Sequence, residues 1–253
     1  MPSQDRPNRR RKSRNRGKGL ALVLFLMLVF FFIGGGVFFR VRNVEIQGSD
    51  LYTEEEILEA SGVNLGDNLL FVSRSRVSAN LVSALNYAES VRISRRLPGT
   101  LVIRITESVP VACIYRGGWW LLDKNLRVLE RTDQQGVGQA IPIVGLTVAE
   151  PQVGRLLSTD GEETVTAELL GEFLSAILAT GMQDDIRKID AEYLSNISFD
   201  YGGRLSVRLG SAIHSEEKLR LMLQVLEELG EDAAGTLDLS REKEARFVPQ
   251  TTR

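Results

Sequence analysis

The chain of 253 residues holds one cysteine, Cys113, and one histidine, His214. A lone cysteine rules out an internal disulfide and any cysteine-cluster metal site. The single histidine and cysteine cannot build a standard zinc site without carboxylates, and no His-Glu-x-x-His occurs. Also missing are a Gly-x-x-x-x-Gly-Lys phosphate loop and a Gly-x-Gly-x-x-Gly fingerprint, as are internal repeats. The expectation is therefore a protein with no catalytic residues, no metal, no cofactor and no small-molecule substrate.

The residues that remain as chemical candidates have plainer readings. Cys113 lies in an apolar Val-Ala-Cys-Ile run and reads as a core strand residue. His214 reads as a loop residue just before Ser215, the expected cap of a helix. Asp184-Asp185 and Glu216-Glu217 read as solvated loop and first-turn charges, the latter favoured by the helix dipole. Trp119-Trp120 suggests a sugar platform, yet neighbouring strand residues point to opposite faces, which puts one ring in the core.

What the chain does have is one long apolar run. Leu20 to Phe39 passes twenty residues without a charge or a strongly polar side chain. As a helix it is about 30 Å long, enough to span a bilayer once. Arg6, Arg9, Arg10, Arg11, Lys12, Arg14, Arg16 and Lys18 precede it, with Asp5 the only acid before the span. From Asn43 onward there are 21 basic against 32 acidic residues. By the positive-inside rule the basic tail, residues 1–19, stays in the cytoplasm and the rest is translocated. A cleaved signal peptide has a shorter core and a small-residue cleavage site, whereas Gly-Val-Phe-Phe-Arg-Val-Arg follows here. The tail lacks interleaved aromatics, so a topology signal that also meets anionic lipid is favoured over nucleic-acid binding.

Beyond the span, Val44 to Gln47 alternates as a strand and Thr53-Glu54-Glu55-Glu56 forms a capping box for a helix stopped by Gly62. A second helix is expected from Ser75 to Asn86, with Val77, Leu81 and Leu85 four apart. Ser90 to Ser94 and Leu101 to Thr106 make a hairpin across Leu97-Pro98-Gly99. This gives a three-stranded sheet with two helices on one face, the other face staying wet, in an α+β arrangement.

The pattern changes at Pro110. A hairpin is expected from Trp119 to Glu130 around Asp123-Lys124-Asn125, then an edge or crossing strand at Ile141 to Val144, given Pro142. A helix spans Thr166 to Thr180, with strands at Ile186 to Asp190, Ile197 to Tyr201 and Arg204 to Leu209; Gly202-Gly203 marks a tight hairpin. A last helix carries Leu219, Met222, Leu223, Leu226 and Leu229 inward, and Thr236 to Leu239 pairs with Ala245 to Val248, ended by Pro249. With only a short polar tail after it, 250–253, this final strand is expected to be an open edge able to accept a partner strand. Phe247 and Val248 are the candidate pocket residues, and Arg241, Lys243 and Arg246 the candidate cations facing acids on a partner.

Taken in order, these features resemble the FtsQ/DivIB cell-division family. The resemblance rests on the tail and span, on Val-Arg-Asn-Val-Glu-Ile-Gln-Gly (41–48), Gly-Asp-Asn-Leu-Leu (66–70) and above all Val-Arg-Ile-Ser-Arg-Arg-Leu-Pro-Gly-Thr-Leu-Val-Ile-Arg-Ile-Thr-Glu-Ser-Val-Pro-Val-Ala (91–112). Trp120-Leu121-Leu122-Asp123 and Ile141-Pro142-Ile143-Val144-Gly145 match further landmarks. It implies a POTRA domain (β-α-α-β-β) at 40–109 and a mixed α/β "β domain" at 110–249. It also implies a non-enzymatic divisome scaffold at the septum that links assembly to peptidoglycan synthesis through FtsB/DivIC- and FtsL-type partners. The family's main FtsB contact maps onto the terminal hairpin, here Thr236, Asp238, Arg241, Lys243, Ala245, Arg246, Phe247 and Val248. Where the family often has Asp-Leu-Arg and a glycine turn, this chain has Asp238-Leu239-Ser240 followed by Arg241-Glu242-Lys243-Glu244. Two other readings are a membrane-anchored envelope enzyme acting on cell-wall polymer and a POTRA-type translocation component. The latter requires a β-barrel partner, since the residues after the first domain, with two amphipathic helices among their strands, do not read as a barrel themselves.

Overall fold

Apolar alternation and helical capping place the elements largely where the residues demand them. The structure, a computed structural model, describes residues 21–27, 38–158, 163–230, 232–241 and 243–250, with the backbone alone for 163–167. Residues 21–27 are helical; Leu20 and residues 28–37 of the expected span, like the basic tail and residues 251–253, lie outside the described residues. Among the described residues no helix is long and apolar enough to cross a membrane. The rest forms two compact units, the first reaching to Leu81 and resuming over Ser90–Thr106, the second comprising Val82–Glu89 and the chain from Glu107 on.

The first unit is built on strand β1 (Asn43–Gln47), helices α1 (Glu54–Ser61) and α2 (Arg74–Ala84), and strands β2 (Ala88–Arg96) and β3 (Thr100–Glu107), the last two elements and α2 extending into the second unit. The sheet order is β1-β3-β2, with β1 parallel to β3. Helix α1 begins with the expected capping box: the Glu56 amide donates to Thr53 Oγ1 (3.3 Å) and the Thr53 amide to Glu56 Oε2 (2.9 Å). It ends at Gly62 in the left-handed conformation. Helix α2 stops at Ala84, two residues before the expected Asn86, because a turn from the Ala88 amide to the Leu85 carbonyl (3.0 Å) takes over. Ile57, Val77, Leu81, Leu101, Ile103 and Ile105 are buried.

The opposite face is not simply wet. Val102 is buried too, because Glu45 stands opposite it and Gln47 opposite Arg104. Arg96 pairs with Glu45 (2.6 Å) and Arg104 donates to Gln47 Oε1 (2.9 Å), so long polar side chains close over the valine.

The second unit carries one nine-stranded sheet in the order β12-β11-β10-β9-β8-β7-β4-β5-β6. In chain order these are β4 (Ala112–Tyr115), β5 (Trp119–Leu122), β6 (Val128–Thr132), β7 (Ile141–Val144), β8 (Ile186–Asp190), β9 (Ile197–Tyr201), β10 (Leu205–Gly210), β11 (Gly235–Asp238) and β12 (Arg246–Pro249). Helix α3 (Glu163–Thr180) comes before β8, and α4 (Ser215–Leu229) joins β10 to β11, which run parallel. The two helices pack together, and Leu170, Phe173, Leu174 and Ile177 of α3 meet Leu219 and Met222 of α4 and the inward strand residues in one core. Phe173 and Phe199 lie with ring centroids 5.6 Å apart.

Two expectations need correcting here, and a third is decided between its alternatives. Of the edge and crossing positions expected for β7, the structure shows the crossing one: Ile141 and Pro142 pair with β4, then Ile143 and Val144 pair with β8. Proline is tolerated because each half of the strand is laddered on one side only. At α4 the N-cap is His214, in a left-handed conformation, and Ser215 is already in the helix, its hydroxyl donating to the Ala212 carbonyl. The strand expected from Leu126 begins at Val128, since Leu126 sits at φ +60° inside a turn built by Asp123.

That turn is held by a buried carboxylate. Asp123 Oδ1 accepts the amides of Asn125 and Arg127 (2.8 Å each), and Oδ2 accepts the Ser108 hydroxyl (3.2 Å). Asp123→Ala strands three donors and is expected to lower the chain's stability in urea unfolding by about 1–3 kcal/mol, with Asp123→Asn costing less.

Candidate partner interface

The edge at β12 follows from a register that five strands share between the irregularities at Ile186/Lys188 and Arg208/Gly210. Ile189, Phe199, Val207, Leu237 and Phe247 stand opposite one another in β8, β9, β10, β11 and β12. The first four are buried and Phe247 packs against the same core, half-buried. The flanking rows face the other way: Lys188, Asp200, Ser206, Thr236, Val248, and Asp190, Ser198, Arg208, Asp238, Arg246. Because both helices contribute to the core on the first face, the second remains a polar sheet surface with alternating charge. Val248, 49% exposed, is the apolar member of those rows. It shares with Lys188, Asp200, Ser206 and Thr236 the lining of a shallow trough of about 600 Å³.

Two local features set this register. The β9–β10 turn is the pair Gly202-Gly203, both with positive φ (62° and 72°), the geometry of a tight hairpin. Gly235 at the start of β11 lies so close to β12 that a Cβ there would come within 2.2 Å of the Val248 carbonyl oxygen.

The hydrogen bonding of β12 leaves one side open. The Gln250 amide donates to the Ala234 carbonyl (2.9 Å), so by alternation the Val248 and Arg246 main chains face β11 while the N–H and C=O of Phe247 point outward. Among the described residues no strand lies beyond β12.

The residues expected at this edge are thus brought together in one hairpin but with different tasks. Thr236, Asp238, Arg246 and Val248 share the open face. Arg241 and Lys243 are exposed in the turn, where Arg241 lies 3.7 Å from Glu244. Ala245 packs partly against the core, as does Phe247, whose ring therefore faces the interior and is not a free pocket anchor. The open-face residues Lys188, Asp200, Ser206 and Arg208 were not expected as part of the edge. Their alternation was visible in each strand; what brings them beside Thr236 and Asp238 is the parallel β10–β11 pairing across α4.

Asp238 is the electrostatic hinge of the turn. Hydrogen bonds from the Ser240 hydroxyl and amide (2.9 Å for the amide), helped by Arg208 and Arg241, hold its carboxyl below the ordinary aspartate range. Elsewhere the unit offers no activated nucleophile in Cys113: burial pushes its thiol up to about 11 and its Sγ lies 3.6 Å from the Ala140 carbonyl. Trp120 is buried, with its indole N–H donating to the Arg116 carbonyl (3.1 Å), and Trp119 pairs edge-on with Tyr115. Among the described residues no cluster of three or more His, Cys, Asp or Glu has a metal-holding arrangement.

Residues 39–108 match the family described as "POTRA domain, FtsQ-type". The cell division protein DivIB of Clostridium botulinum is 26% identical over 211 residues, covering 81% of this chain and 80% of the relative. The cell division protein FtsQ of Anaeromyxobacter sp. is 31% identical over 206 residues (78% of this chain, 64% of the relative), and that of Corynebacterium glutamicum 26% over 198 residues (76% and 81%).

Two outcomes are expected from the geometry of the edge. Phe247→Ala should cost stability, though less than the roughly 3–5 kcal/mol of a fully buried phenylalanine, whereas Val248→Ala should stay within about 0.5 kcal/mol of the parent in urea unfolding. Because the folded Asp238 carboxyl titrates below its unfolded value, its contribution is complete above the ordinary aspartate range and is lost as pH falls through the folded value. The stability gap between the parent and Asp238→Asn should therefore hold at neutral pH and narrow as pH falls below the ordinary aspartate value of about 3.9.

Proposed function

As the chain belongs to the FtsQ/DivIB family of cell division proteins, we propose that it is a non-enzymatic divisome scaffold that holds FtsB/DivIC- and FtsL-type partners through the β12 edge. The observation behind this reading is the outward main chain of Phe247 beside an open, charge-alternating sheet face. A partner segment laid alongside β12 gains main-chain hydrogen bonds there, and its side chains meet Val248, Arg246 and Thr236. Through such contacts the scaffold links septal assembly to peptidoglycan synthesis.

In this reading Leu20 to Phe39 spans the membrane once, with the basic tail in the cytoplasm. The described part of this segment, Leu22 to Met27, is helical and apolar. The two units then lie outside the cytoplasm, in a protein recruited to midcell.

Val248→Glu tests the edge more cleanly than a change at Phe247, since it leaves the core intact. The full chain carrying Val248→Glu is expected to lose at least about tenfold in affinity for the FtsB/DivIC-type partner, a change of about 1.4 kcal/mol. Capture of that partner at undiminished affinity by a folded Val248→Glu chain would remove the edge from the site. A fluorescent fusion spread evenly over the envelope, instead of a midcell ring, would count against the divisome role itself.

A further inference from the structure

We propose that one end of the first unit is a membrane-docking face, on which Phe71, Leu70, Leu65 and Leu97 enter the headgroup layer of the bilayer and Arg74 and Arg76 meet lipid phosphates. The proposal rests on the reading of Leu20 to Phe39 as a span. Its geometry comes from the residues that follow that segment. The Leu69 amide donates to the Phe39 carbonyl (2.7 Å), the Val41 amide to Asp67 (2.8 Å) and the Gly66 amide back to Val41 (2.8 Å). Arg40 and Asn68 form an antiparallel bridge. On the other side, the amides of Arg42 and Asn43 donate to the Gly99 carbonyl (2.8 and 3.2 Å). Two loops, 64–72 and 97–99, are thus fastened to residues 39–43. They must lie at the level where the chain leaves the apolar segment.

These loops present apolar side chains to solvent. Phe71 is 81% exposed, Leu65 63%, Leu97 59% and, at the end of the segment itself, Phe38 57%; Leu70 is exposed as well. Only Leu69 of the Leu69-Leu70-Phe71 run turns inward and is buried. A grouping of this kind on a folded unit marks an interaction surface, and continuity with the span names the occupant as the adjoining bilayer.

Charge supports the same occupant. The first turn of α2 holds Arg74 and Arg76 and no acid, whereas that of α1 holds Glu54, Glu55 and Glu56. Cations at a helix N-terminus are disfavoured by the dipole, and an anion beside them offsets the cost. Arg76 and Phe71 line one hollow of about 270 Å³ with Ser73 and Asn80. Asp67 lines it too, its carboxylate accepting the Asn64 amide (2.9 Å). Phosphate oxygen next to acyl chain matches an arginine next to a phenyl ring.

The test uses the full chain in liposomes of phosphatidylethanolamine and phosphatidylglycerol, with an environment-sensitive fluorophore on a new cysteine. Phe71→Cys is the docking site, and Asp50→Cys the control, since Asp50 follows the far end of β1, roughly 15 Å further on at about 3.3 Å per residue. In chains that resist alkaline carbonate extraction, the label at 71 is expected to shift to shorter wavelength and to be quenched by lipid spin-labelled at the headgroup, with neither change at 50. Equal, water-like emission from both sites in such chains would overturn the docking face. Release of the chain by carbonate would instead overturn the span, and the docking with it. Leu97→Cys gives the same comparison should Phe71→Cys fail to fold.

Discussion

The row Ile189, Phe199, Val207, Leu237 and Phe247 is the constraint on which the edge of the second unit depends. A slip of one residue at β12 would turn Arg246 or Val248 onto the helices and Phe247 onto the open face. With Arg246 inward, the cost is that of burying an unpaired guanidinium. The alternation of burial over residues 197–200 of β9 and 205–209 of β10 follows this same register. Open face and core are therefore two sides of one alignment: whatever fixes Phe247 inward also fixes Val248 and Arg246 outward.

That alignment extends into the rest of the unit through β7. By pairing with β4 over its first half and β8 over its second, it joins two smaller sheets into one without needing a full ladder on either side. Val111, Ala112 and Ile114 consequently reach the same core as Ile189 and Phe199. The Asp123 turn stands at the other end of this arrangement, where its carboxylate replaces main-chain partners that Leu126, at positive φ, cannot supply in a regular strand. Neither feature offers chemistry to a substrate; both are ways of satisfying buried polar backbone where strands change partner.

Much of this was legible because it is local. The capping box at Thr53 and Glu56, the Gly202-Gly203 turn, the stripe Leu170, Phe173, Leu174, Ile177 and the pairing of Thr236 to Asp238 with Arg246 to Val248 all depend on residues close in sequence. What was not legible depends on distant pairing. Pro142 suggested an edge or a crossing strand, and only the two neighbours of β7 decide for the crossing position. Phe247 looked like an anchor for a partner because its direction is set by Leu237, and that of Leu237 by Val207, on the far side of a helix. His214 took the N-cap from Ser215 because its amide is engaged by Glu172 of α3 (2.9 Å), a contact 42 residues away in the chain.

The open edge is also limited in ways that favour selectivity over general stickiness. It is four residues long, and Pro249 at its end has no amide to offer. The Phe247 amide is consequently a scarce donor, and a passing strand gains little from backbone pairing alone. Arg241, Lys243 and Arg246 repel a basic segment, while Asp238 is already engaged by Ser240. Short length, a terminal proline and edge cations are the devices by which folded proteins avoid indiscriminate pairing. A partner that nonetheless binds here must supply what the edge withholds, namely acidic side chains for the cations and an apolar group against Val248. Specificity would then reside in the side chains of the open face, and the backbone pairing at Phe247 would serve mainly to set their register.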